Sequence, residues 1–568
     1  MSSSDPPSRE AHDSRTTRAV RALWGLTWAL GATLAVLAAW VVIARLLHPI
    51  DAEWMTGAVR DGVERVRDGK PLYVAPSARF IPFVYPPLYF WVAGLLARVM
   101  SSFAACKVVS IGATVAAGWG IFRIARALGA TAQWSRVALL LHLATYSLTL
   151  LFYDLERVDG LYAGLLMVSL ALLFSGKSLR SSAIAGALLA LSFYAKQAGL
   201  LAFAAAVVGL LLAGERKRAM VVLGAGGLVL LLLLGVLEAT TGGWFRYYCL
   251  TLPSAHGIRA QRLTTFFIQD APKAFALTAA SVALVVAVLV ALVRERKKPA
   301  SMAWQEVVLA AIVGASMVAA FSFRAHSGGW ANVLVAWLPL ACPAFAIVAT
   351  RMESWSKDTR AEHVMSVALL SAVSLQLLGA MFDPMELAPN ASDEHDHDQL
   401  VSLVRDLERE GDVLVLPSGH VTKESGAHAA ALYDVLRAGD RAPADLLEGL
   451  KNRRFAAIIV DIPVDCDFPQ CDELEIAIAK SYFVAARRHE RDRTGMTGYD
   501  ARPRWTFRPR KTPIEVATKE ELFLRQRIEK SFAEMKSAQT APNTEPHPSD
   551  EIEEEADHEL SLNAITPR

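Results

Sequence analysis

The stretch at residues 48–91, HPIDAEWMTGAVRDGVERVRDGKPLYVAPSARFIPFVYPPLYFW, follows the first strongly apolar segment of the chain. Its first acid, Asp51, stands a few residues beyond the end of that segment. Water, lipid headgroups and a lipid-borne substrate can all meet at such a position. We therefore predict that residues 48–100 form the first outward loop of a polytopic membrane protein.

The composition places the chain in the membrane class. Hydrophobic residues make up 53% of its 568 residues, and the mean hydropathy is +0.31, which is too apolar for an ordinary soluble protein. The formal net charge of only +2 argues against a nucleic-acid partner. The first 18 residues lack the short apolar core and cleavage site of a signal peptide, so the first apolar segment is expected to remain as a membrane span.

The apolar blocks are close to the roughly 20 residues that a helix needs to cross hydrocarbon. We predict eleven spans, at residues 20–47, 103–123, 135–153, 158–174, 181–195, 198–213, 219–240, 271–293, 304–322, 330–350 and 362–382. Residues 82–100 contain three prolines and are expected to lie in the membrane interface instead of crossing it. With the N-terminus inside, this choice keeps the densest basic loops cytoplasmic, as the positive-inside rule requires. An extra crossing at residues 82–100 would invert everything downstream.

The chain is expected to have four parts. They are a cytoplasmic tail at 1–19, a membrane domain at 20–389, an extracytoplasmic α/β domain at 390–510, and a charged, helical and then disordered tail at 511–568. In the α/β domain, residues 411–416 and 455–461 are predicted to be short buried strands, with helices near 398–409 and 427–436.

Two further features of the C-terminal part bear on its environment. Cys466 and Cys471 form a C-x4-C pair, which can close a small disulfide loop in an oxidising compartment. The acidic, histidine-containing run at 393–398 is predicted to be a solvated linker, with metal binding as the less favoured alternative.

The outward loop itself carries an amphipathic pattern. Met55, Val59, Val63 and Val66 recur at helical spacing, while the charged residues fall largely on the other side. We predict a helix on the membrane surface, followed by a break and by an aromatic segment that begins at Tyr85. For Asp51 alone, capping of this helix is the competing structural explanation.

These motifs, in this order, resemble the GT-C glycosyltransferases. The order is a first span, Asp-x-Glu at Asp51 and Glu53, a surface helix, GKPLY at 69–73 and YPPLYFW at 85–91. Within the superfamily they look most like the bacterial relatives of protein O-mannosyltransferases and aminoarabinose transferases, the family 39-like enzymes, over roughly residues 20–350. The resemblance implies a polyprenyl-phosphate sugar donor and a catalytic acid in the first outward loop, which falls on Asp51. In several members the two acids are adjacent, whereas here Ala52 separates Glu53 from Asp51.

A second charged cluster, YDLERVDG at residues 153–160, lies between two apolar runs. Each ionisable group would cost roughly 2.5–3.5 kcal/mol at a helix centre, so these side chains are expected to face water or one another. Asp159 resembles the family's second outward acid and is a catalytic, acceptor-orienting or metal-binding candidate. Asp154, Glu156 and Arg157 are predicted to support it, together with Tyr85. An ordinary solvated loop is the alternative.

Basic residues at the outward ends of later spans are candidates for binding the donor phosphate. They are Lys196, His256, Arg259, Arg324 and His326. A lysine supplies a compact point charge for a phosphate, although a lone lysine at a helix end can simply snorkel. Residues 253–259 and 324–332 each combine an arginine and a histidine with glycines, which allow backbone to approach a ligand closely. For His256 taken alone, a structural role is the better explanation.

Sugar transfer from a phosphate requires a base near the acceptor hydroxyl and fixed positive charge near the leaving group. We predict a hexosyl or pentosyl transferase of the bacterial inner (plasma) membrane, with its active site and C-terminal domain outside the cytoplasm. Asp51 is the predicted base, the acceptor is a lipid, glycan or protein, and the resemblance implies inversion. The sequence identifies no definite cofactor, and Mg²⁺ or Ca²⁺ bound by Asp51, Glu53 and Asp159 is the less favoured alternative. A lipid-linked sugar flippase and a noncatalytic envelope-assembly protein are the competing function classes.

Overall fold

The structure is a computed structural model that describes residues 9–295, 302–355, 359–423, 426–460, 470–487, 496–497 and 503–513. Its helices in chain order are α1 (Arg9–Leu47), α2 (Thr56–Arg67), α3 (Leu88–Leu96), α4 (Ser102–Ala127), α5 (Ala132–Leu148), α6 (Val158–Ser175), α7 (Leu179–Ala195), α8 (Ala198–Leu212), α9 (Arg216–Thr241), α10 (Trp244–Arg246), α11 (Leu252–Ser254), α12 (Ala260–Leu263), α13 (Ala271–Lys273), α14 (Phe275–Glu295), α15 (Trp304–Ala325), α16 (Leu338–Trp355), α17 (Thr359–Gly379), α18 (Pro384–Leu387), α19 (Ala391–Glu408), α20 (Ala429–Arg437), α21 (Ala444–Lys451) and α22 (Cys471–Ser481). Short π-helical segments lie at Tyr247–Thr251 and Phe266–Asp270, and a 3-10 helix lies at Ala331–Ala336.

Eleven of the described helices, α1, α4 to α9 and α14 to α17, occupy the eleven stretches predicted as spans. By length and apolarity, seven of them can cross a membrane: α1, α4, α6, α9, α14, α15 and α17. Helices α7 and α8 are apolar but shorter. The span predicted at 330–350 begins later than expected, because the chain first forms the 3-10 helix, so that α16 begins only at Leu338.

Helix α6 occupies the centre of the helical bundle. In its most apolar window 72% of the residues are buried, against 17% in α9, whose leucines are largely exposed. Close packing requires small residues here: a Cβ added to Gly120 on α4 would meet the backbone of Met167 on α6 at 2.7 Å. Asp159 lies in the first turn of α6, so its carboxylate is held at one end of this central helix.

The segment at residues 82–100 does not span. Its only described helix, α3, has nine residues, which is about 13.5 Å of helix against roughly 30 Å of hydrocarbon. Its Leu95 and Val99 are 62% and 81% exposed, as expected for a helix whose apolar side meets the membrane interface. The length of α3 agrees with the prediction that this segment does not cross.

Helix α2 is present where the amphipathic pattern predicted it, but its polar side is not open to water. Arg60 and Asp61 are both buried. The reason is a loop of the C-terminal part, in which Gly419 packs backbone to backbone on Gly57 and the backbone N–H of His420 donates to Asp61 at 3.2 Å. The pattern of one helix cannot show that a distant segment covers it.

The C-terminal part contains a four-stranded sheet: β1 (Val413–Val415), β2 (Ala457–Val460), β3 (Tyr482–Arg487) and β4 (Trp505–Pro509), in the order β1-β2-β4-β3. Strands β1 and β2 are parallel, with Val413 opposite Ala457, and the other pairs are antiparallel. Alternate residues of β2 point to opposite faces, where they join two separate apolar cores. Strands β1 and β2 confirm the two predicted strands, whereas β3 and β4 were not predicted.

The described part of residues 391–513, called here the C-terminal unit, is fixed to the first outward loop. One hydrophobic core contains side chains from α2, α3, α20 and β2. Backbone hydrogen bonds join Ala427 N to Ala78 O at 3.0 Å and Met496 N to Ala52 O at 3.0 Å. The unit therefore holds the segment that carries Asp51 and Glu53.

The acidic run at 393–398 is helical, so the prediction of a linker was wrong. The side chain of Asn390 accepts hydrogen bonds from the backbone of Ser392 and Asp393, and this capping box starts α19. Cys471 is disulfide-bonded, while Cys106, Cys249 and Cys342 are free. Cys466 and the predicted tail from residue 514 lie outside the described residues.

Candidate active site

A cavity of about 540 Å³ lies where the first outward loop, the ends of several membrane helices and the C-terminal unit meet. This volume is within the range of small-ligand sites. Six of the predicted site residues line it: Glu53, Tyr85, Arg157, Lys196, His256 and Arg259. The structure thus brings together side chains that are up to 206 residues apart in sequence, from position 53 to position 259.

Glu53 presents a carboxylate to this cavity. Its Oε2 accepts hydrogen bonds from Arg157 Nη1 at 2.7 Å and from the backbone of Met55 at 3.2 Å. No described residue donates a hydrogen bond to its Oε1. Burial raises the pKa of the Glu53 carboxyl, and Arg157 opposes that rise. A carboxylate anchored through one oxygen, with its pKa raised, is suited to accept a proton at neutral pH.

Arg157 connects Glu53 to Tyr85. Its Nη2 donates to Tyr85 Oη at 2.5 Å, and its guanidinium also lies 5.4 Å from the centre of the Phe152 ring. Although burial acts to lower it, the pKa of Arg157 is raised by Glu53 and Tyr85, while burial raises the pKa of Tyr85 to about 12. Arg157 therefore stays charged and fixes both neighbours.

Asp159 lies directly behind Lys196. Its Oδ1 is 2.5 Å from Lys196 Nζ and 3.3 Å from Asn332 Nδ2, and its side chain is fully buried. Asp159 Oδ2 is also buried and has no hydrogen-bond partner among the described residues. Lys196, which ends α7, lines the cavity but has part of its charge matched by Asp159. Asn332 was not predicted as a site residue.

Asp51 does not line the cavity. It forms a buried ion pair with Arg60, and each side chain is only 7% exposed. Nor does it cap α2, whose N-cap is Met55 with no side-chain cap. Only Ala52 separates Asp51 from Glu53, yet the two carboxylates have different partners, Arg60 and Arg157.

Behind the cavity, Asp154 and Glu156 belong to a buried network of charges. Asp154 Oδ1 is 2.8 Å from Arg45 Nη1, and Glu156 Oε1 is 3.5 Å from Lys107 Nζ. Tyr146 Oη also donates to Asp154, at 2.5 Å. Although burial acts to raise it, the pKa of Asp154 is held below its ordinary value by Arg45 and Lys107. The network holds the loop that carries Arg157.

This loop begins in an unfavourable backbone conformation. Leu150 and Leu151 have φ values of 54° and 60°, in the left-handed region that side chains other than glycine rarely adopt. Arg45 and Lys107 were missed in the sequence, although an isolated cation in an apolar helix is a recognisable signal of a functional or structural charge site.

The two Arg- and His-containing segments lie side by side. The backbone N–H of Arg259 donates to Ala325 O at 2.8 Å, and that of Ser327 donates to Gly257 O at 2.9 Å. His256 and Arg259 line the cavity, whereas Arg324 and His326 do not. Arg324 instead pairs with Asp270 at 2.9 Å.

A further cation in the cavity, Arg262, was missed. Its Nη1 donates to Gly329 O at 2.8 Å and to His326 O at 3.2 Å. Within the described residues, neither Arg259 nor Arg262 pairs with a carboxylate. Burial and the neighbouring Arg324, Arg259 and Arg437 lower the pKa of Arg262. This side of the cavity therefore carries positive charge that an anion can neutralise. The R-x-x-R spacing from 259 to 262 was the available signal.

The C-terminal unit supplies one wall of the cavity. Four residues of α20 line it: Ala430, Tyr433, Asp434 and Arg437. Asp434 Oδ1 is 2.9 Å from His256 Nε2 and 3.0 Å from Arg437 Nη1. The sequence did not predict this wall, because it forms only when α20 docks on the membrane domain.

The three acids considered as metal ligands do not converge. Each pairs with its own cation, Asp51 with Arg60, Glu53 with Arg157 and Asp159 with Lys196. Across the described ranges, no group of three or more His, Cys, Asp or Glu side chains is arranged to hold a metal ion. Carboxylates compensated in this way do not fit a hard divalent cation, which takes six or more oxygen ligands.

The sequence matches no family model and no curated protein. Among solved structures, ArnT from Cupriavidus metallidurans bound to undecaprenyl phosphate matches with a TM-score of 0.54 and 12% identity, over 85% of this chain and 98% of ArnT. ArnT in the apo state matches with a TM-score of 0.52 and 12% identity, over 84% and 97% of the two chains. An Archaeoglobus fulgidus oligosaccharyltransferase, solved with zinc and sulfate, gives a TM-score of 0.46 at 12% identity, over 82% and 72%. The chain therefore has the fold of ArnT, in agreement with the resemblance that the motifs of residues 48–100 suggested.

Proposed function

We propose that this protein is an integral membrane glycosyltransferase. It transfers a sugar from a polyprenyl-phosphate donor to a hydroxyl of an acceptor outside the cytoplasm. One observation carries the proposal: a buried carboxylate, Glu53, lines the same cavity as two cations, Arg259 and Arg262. Neither cation has a carboxylate partner among the described residues. The fold supports it, since the similar ArnT was solved with undecaprenyl phosphate bound.

We assign the base to Glu53 in place of Asp51. Glu53 lines the cavity and has one oxygen that accepts no hydrogen bond from described residues, whereas Asp51 is paired with Arg60 outside the cavity. In the proposed step, the acceptor oxygen bonds to the anomeric carbon while the bond from that carbon to the phosphate oxygen breaks. Glu53 takes the hydroxyl proton, and polyprenyl phosphate leaves with the bonding electrons. A single displacement of this kind inverts the anomeric configuration.

The cations of the cavity match the charge that develops on the leaving group. A phosphate that leaves the sugar gains a second negative charge, and Arg259 and Arg262 supply two positive charges without carboxylate partners in the described chain. Fixed charges aimed at developing charge lower the barrier, since they need no reorganisation during the reaction. Lys196 is a third cation, whose charge is partly neutralised by Asp159.

We also propose that the cavity faces away from the cytoplasm in a bacterial inner membrane. The support is the short α3, which does not cross, so that with the N-terminus inside the densest basic loops fall on the cytoplasmic side. Cysteines placed one at a time in residues 123–136 and 241–273 should be alkylated from opposite sides of sealed vesicles. Labelling of both loops from one side would contradict this orientation.

The proposed function is tested with the purified full-length protein and polyprenyl-phosphate sugars that carry a labelled sugar. Incubation with an acceptor should release free polyprenyl phosphate and transfer the label to the acceptor, with an inverted anomeric centre by NMR. The double variant Arg259→Ala/Arg262→Ala should lose this activity, while Arg246→Ala, an exposed arginine of the same connection that pairs with Glu238 outside the cavity, should keep it. Movement of intact labelled donor across vesicles, with no release of polyprenyl phosphate, would indicate a flippase instead.

A further inference from the structure

We infer that α20 is the acceptor-binding wall of the cavity, and that Tyr433, Asp434 and Arg437 select an acceptor whose reacting hydroxyl belongs to a sugar-like, polyhydroxylated group. This inference rests on the proposed function. It assigns a specificity role to the C-terminal unit, which otherwise would serve only to cover the membrane domain.

The cavity-lining residues of α20 form one stripe. Ala430, Tyr433, Asp434 and Arg437 are spaced i, i+3, i+4 and i+7, so they lie on one face of the helix. The opposite face is buried: Leu432 and Leu436 are fully inaccessible and belong to the apolar core shared with β2. Because that face is packed, α20 cannot turn its polar stripe away from the cavity.

Contacts at both ends of α20 hold the stripe between the proposed base and the proposed phosphate site. At its N-terminus, His428 Nε2 is 3.0 Å from the backbone oxygen of Trp54, the neighbour of Glu53. Towards its C-terminus, Asp434 contacts His256, three residues before Arg259. A group bound against α20 would therefore lie beside both the proposed base and the proposed phosphate site.

The position of α20 in the chain indicates that it binds the acceptor and not the donor. A lipid-linked donor arrives from the bilayer, and the cations that would meet its phosphate come from the end of α7 and from the connection between α9 and α14. In contrast, α20 follows α17, the last apolar helix of the described chain. It therefore belongs to the part of the protein in water, which an acceptor hydroxyl meets first.

The chemistry of the stripe fits a neutral, hydroxyl-rich group. Arg437 and Asp434 pair with each other at 3.0 Å, so the stripe adds little net charge and does not call for a second phosphate. A carboxylate accepts hydrogen bonds from sugar hydroxyls, a guanidinium donates to them, and the ring of Tyr433 can pack on the apolar face of a sugar ring. A helix face offers no strand edge, so the stripe cannot bind an extended peptide by strand addition.

The test uses the full-length protein, one polyprenyl-phosphate sugar and a panel of methyl glycosides as acceptors, with a serine-containing peptide for comparison. Tyr433→Ala and Arg437→Ala should each raise the KM for the glycoside about tenfold or more and change the order of preference within the panel. The KM for the donor should stay within about twofold, because the proposed phosphate ligands, Arg259 and Arg262, are left in place. Tyr433→Phe, which keeps the ring, should restore most of the loss.

A matched control lies at the C-terminal end of α19, where Arg409 is the C-cap residue. Arg409 pairs with Asp406 at the same i,i+3 spacing as Arg437 with Asp434, but its side chain is 80% exposed and outside the cavity. Arg409→Ala should behave like the wild type in every assay, and melting temperatures should show that all variants are folded.

Two results would overturn the inference. One is an unchanged glycoside KM in both Tyr433→Ala and Arg437→Ala, and the other is transfer to the peptide but to none of the glycosides. In both cases the wild type still consumes the donor, so the proposed function would stand. A wild type that consumes no donor at all would overturn the proposed function itself.

Discussion

Replacing Arg157 with methionine would remove the cation that pairs with Glu53 at 2.7 Å. Two unit charges centred about 4 Å apart attract by roughly 4 kcal/mol at an effective dielectric of about 20, and about 1.4 kcal/mol corresponds to one pKa unit. Burial already raises the pKa of Glu53, and Arg157 opposes that rise. Without Arg157 the pKa of Glu53 should therefore rise further. Allowing for water entry into the cavity, we expect an increase of at least about one unit.

The consequence is a change in the pH dependence of transfer. Glu53 must be ionised to accept a proton, so a higher pKa keeps it protonated over more of the acid range. The acid limb of the profile of kcat/KM against pH, measured from about pH 5 to 9, should move to higher pH by at least about one unit. Arg157→Lys keeps the charge but cannot serve both Glu53 and Tyr85, so it should move the limb less. A rate that falls equally at every pH, with the limb in place, would refute the assignment.

Three further substitutions test separate parts of the structure. Arg259→Ala should raise the donor KM about tenfold, or about 1.4 kcal/mol, without lowering the melting temperature. The control Arg246→Ala should change neither quantity. An unchanged donor KM in Arg259→Ala would contradict the phosphate site. Lys107→Met removes a buried cation from Asp154 and Glu156 and should lower the free energy of unfolding by about 3–5 kcal/mol. Thermal melting in detergent measures this loss, and Lys107→Arg, which keeps the charge, is the control. Gly419→Ala would push a Cβ into the backbone of Ala58 and should loosen the C-terminal unit, whereas Gly426 has open space around it. Faster proteolysis within residues 380–390 is expected for Gly419→Ala only, and equal rates for Gly419→Ala and Gly426→Ala would argue against this contact.

The membrane helices were predictable because hydropathy is a local property. A run of about 20 apolar residues forms a span whatever its neighbours are. The three prolines of residues 82–100 left that segment ambiguous, and the placement of the basic loops decided for the interface. Strands β1 and β2 were found for the same reason, since each is a short run of buried apolar residues. Strand β3, in contrast, is a half-exposed run, YFVAAR, which lacks the continuous apolar pattern of a buried strand.

The candidate site was predictable in its residue types and less so in its geometry. The sequence favoured Asp51 over Glu53 as the base, and only the tertiary structure shows that Glu53 lines the cavity while Asp51 pairs with Arg60. Arg324 and Arg259 likewise looked alike, yet Asp270 pairs with the first and no described carboxylate pairs with the second. The wall formed by α20 depends entirely on tertiary packing. Its i, i+3, i+4, i+7 spacing is also that of an ordinary amphipathic helix, so the pattern alone could not assign it to a cavity.

The central claim is that Glu53, and not Asp51, accepts the proton. The most direct measurement compares Glu53→Gln and Asp51→Asn in purified protein, by the rate at which a saturating polyprenyl-phosphate sugar is transferred to an acceptor. The account predicts that Glu53→Gln lowers kcat by about 100-fold or more, in line with the contribution of a general base. Asp51→Asn should retain a pH-dependent activity within about tenfold of the wild type. Full activity in Glu53→Gln, together with loss of transfer in a folded Asp51→Asn, would contradict it.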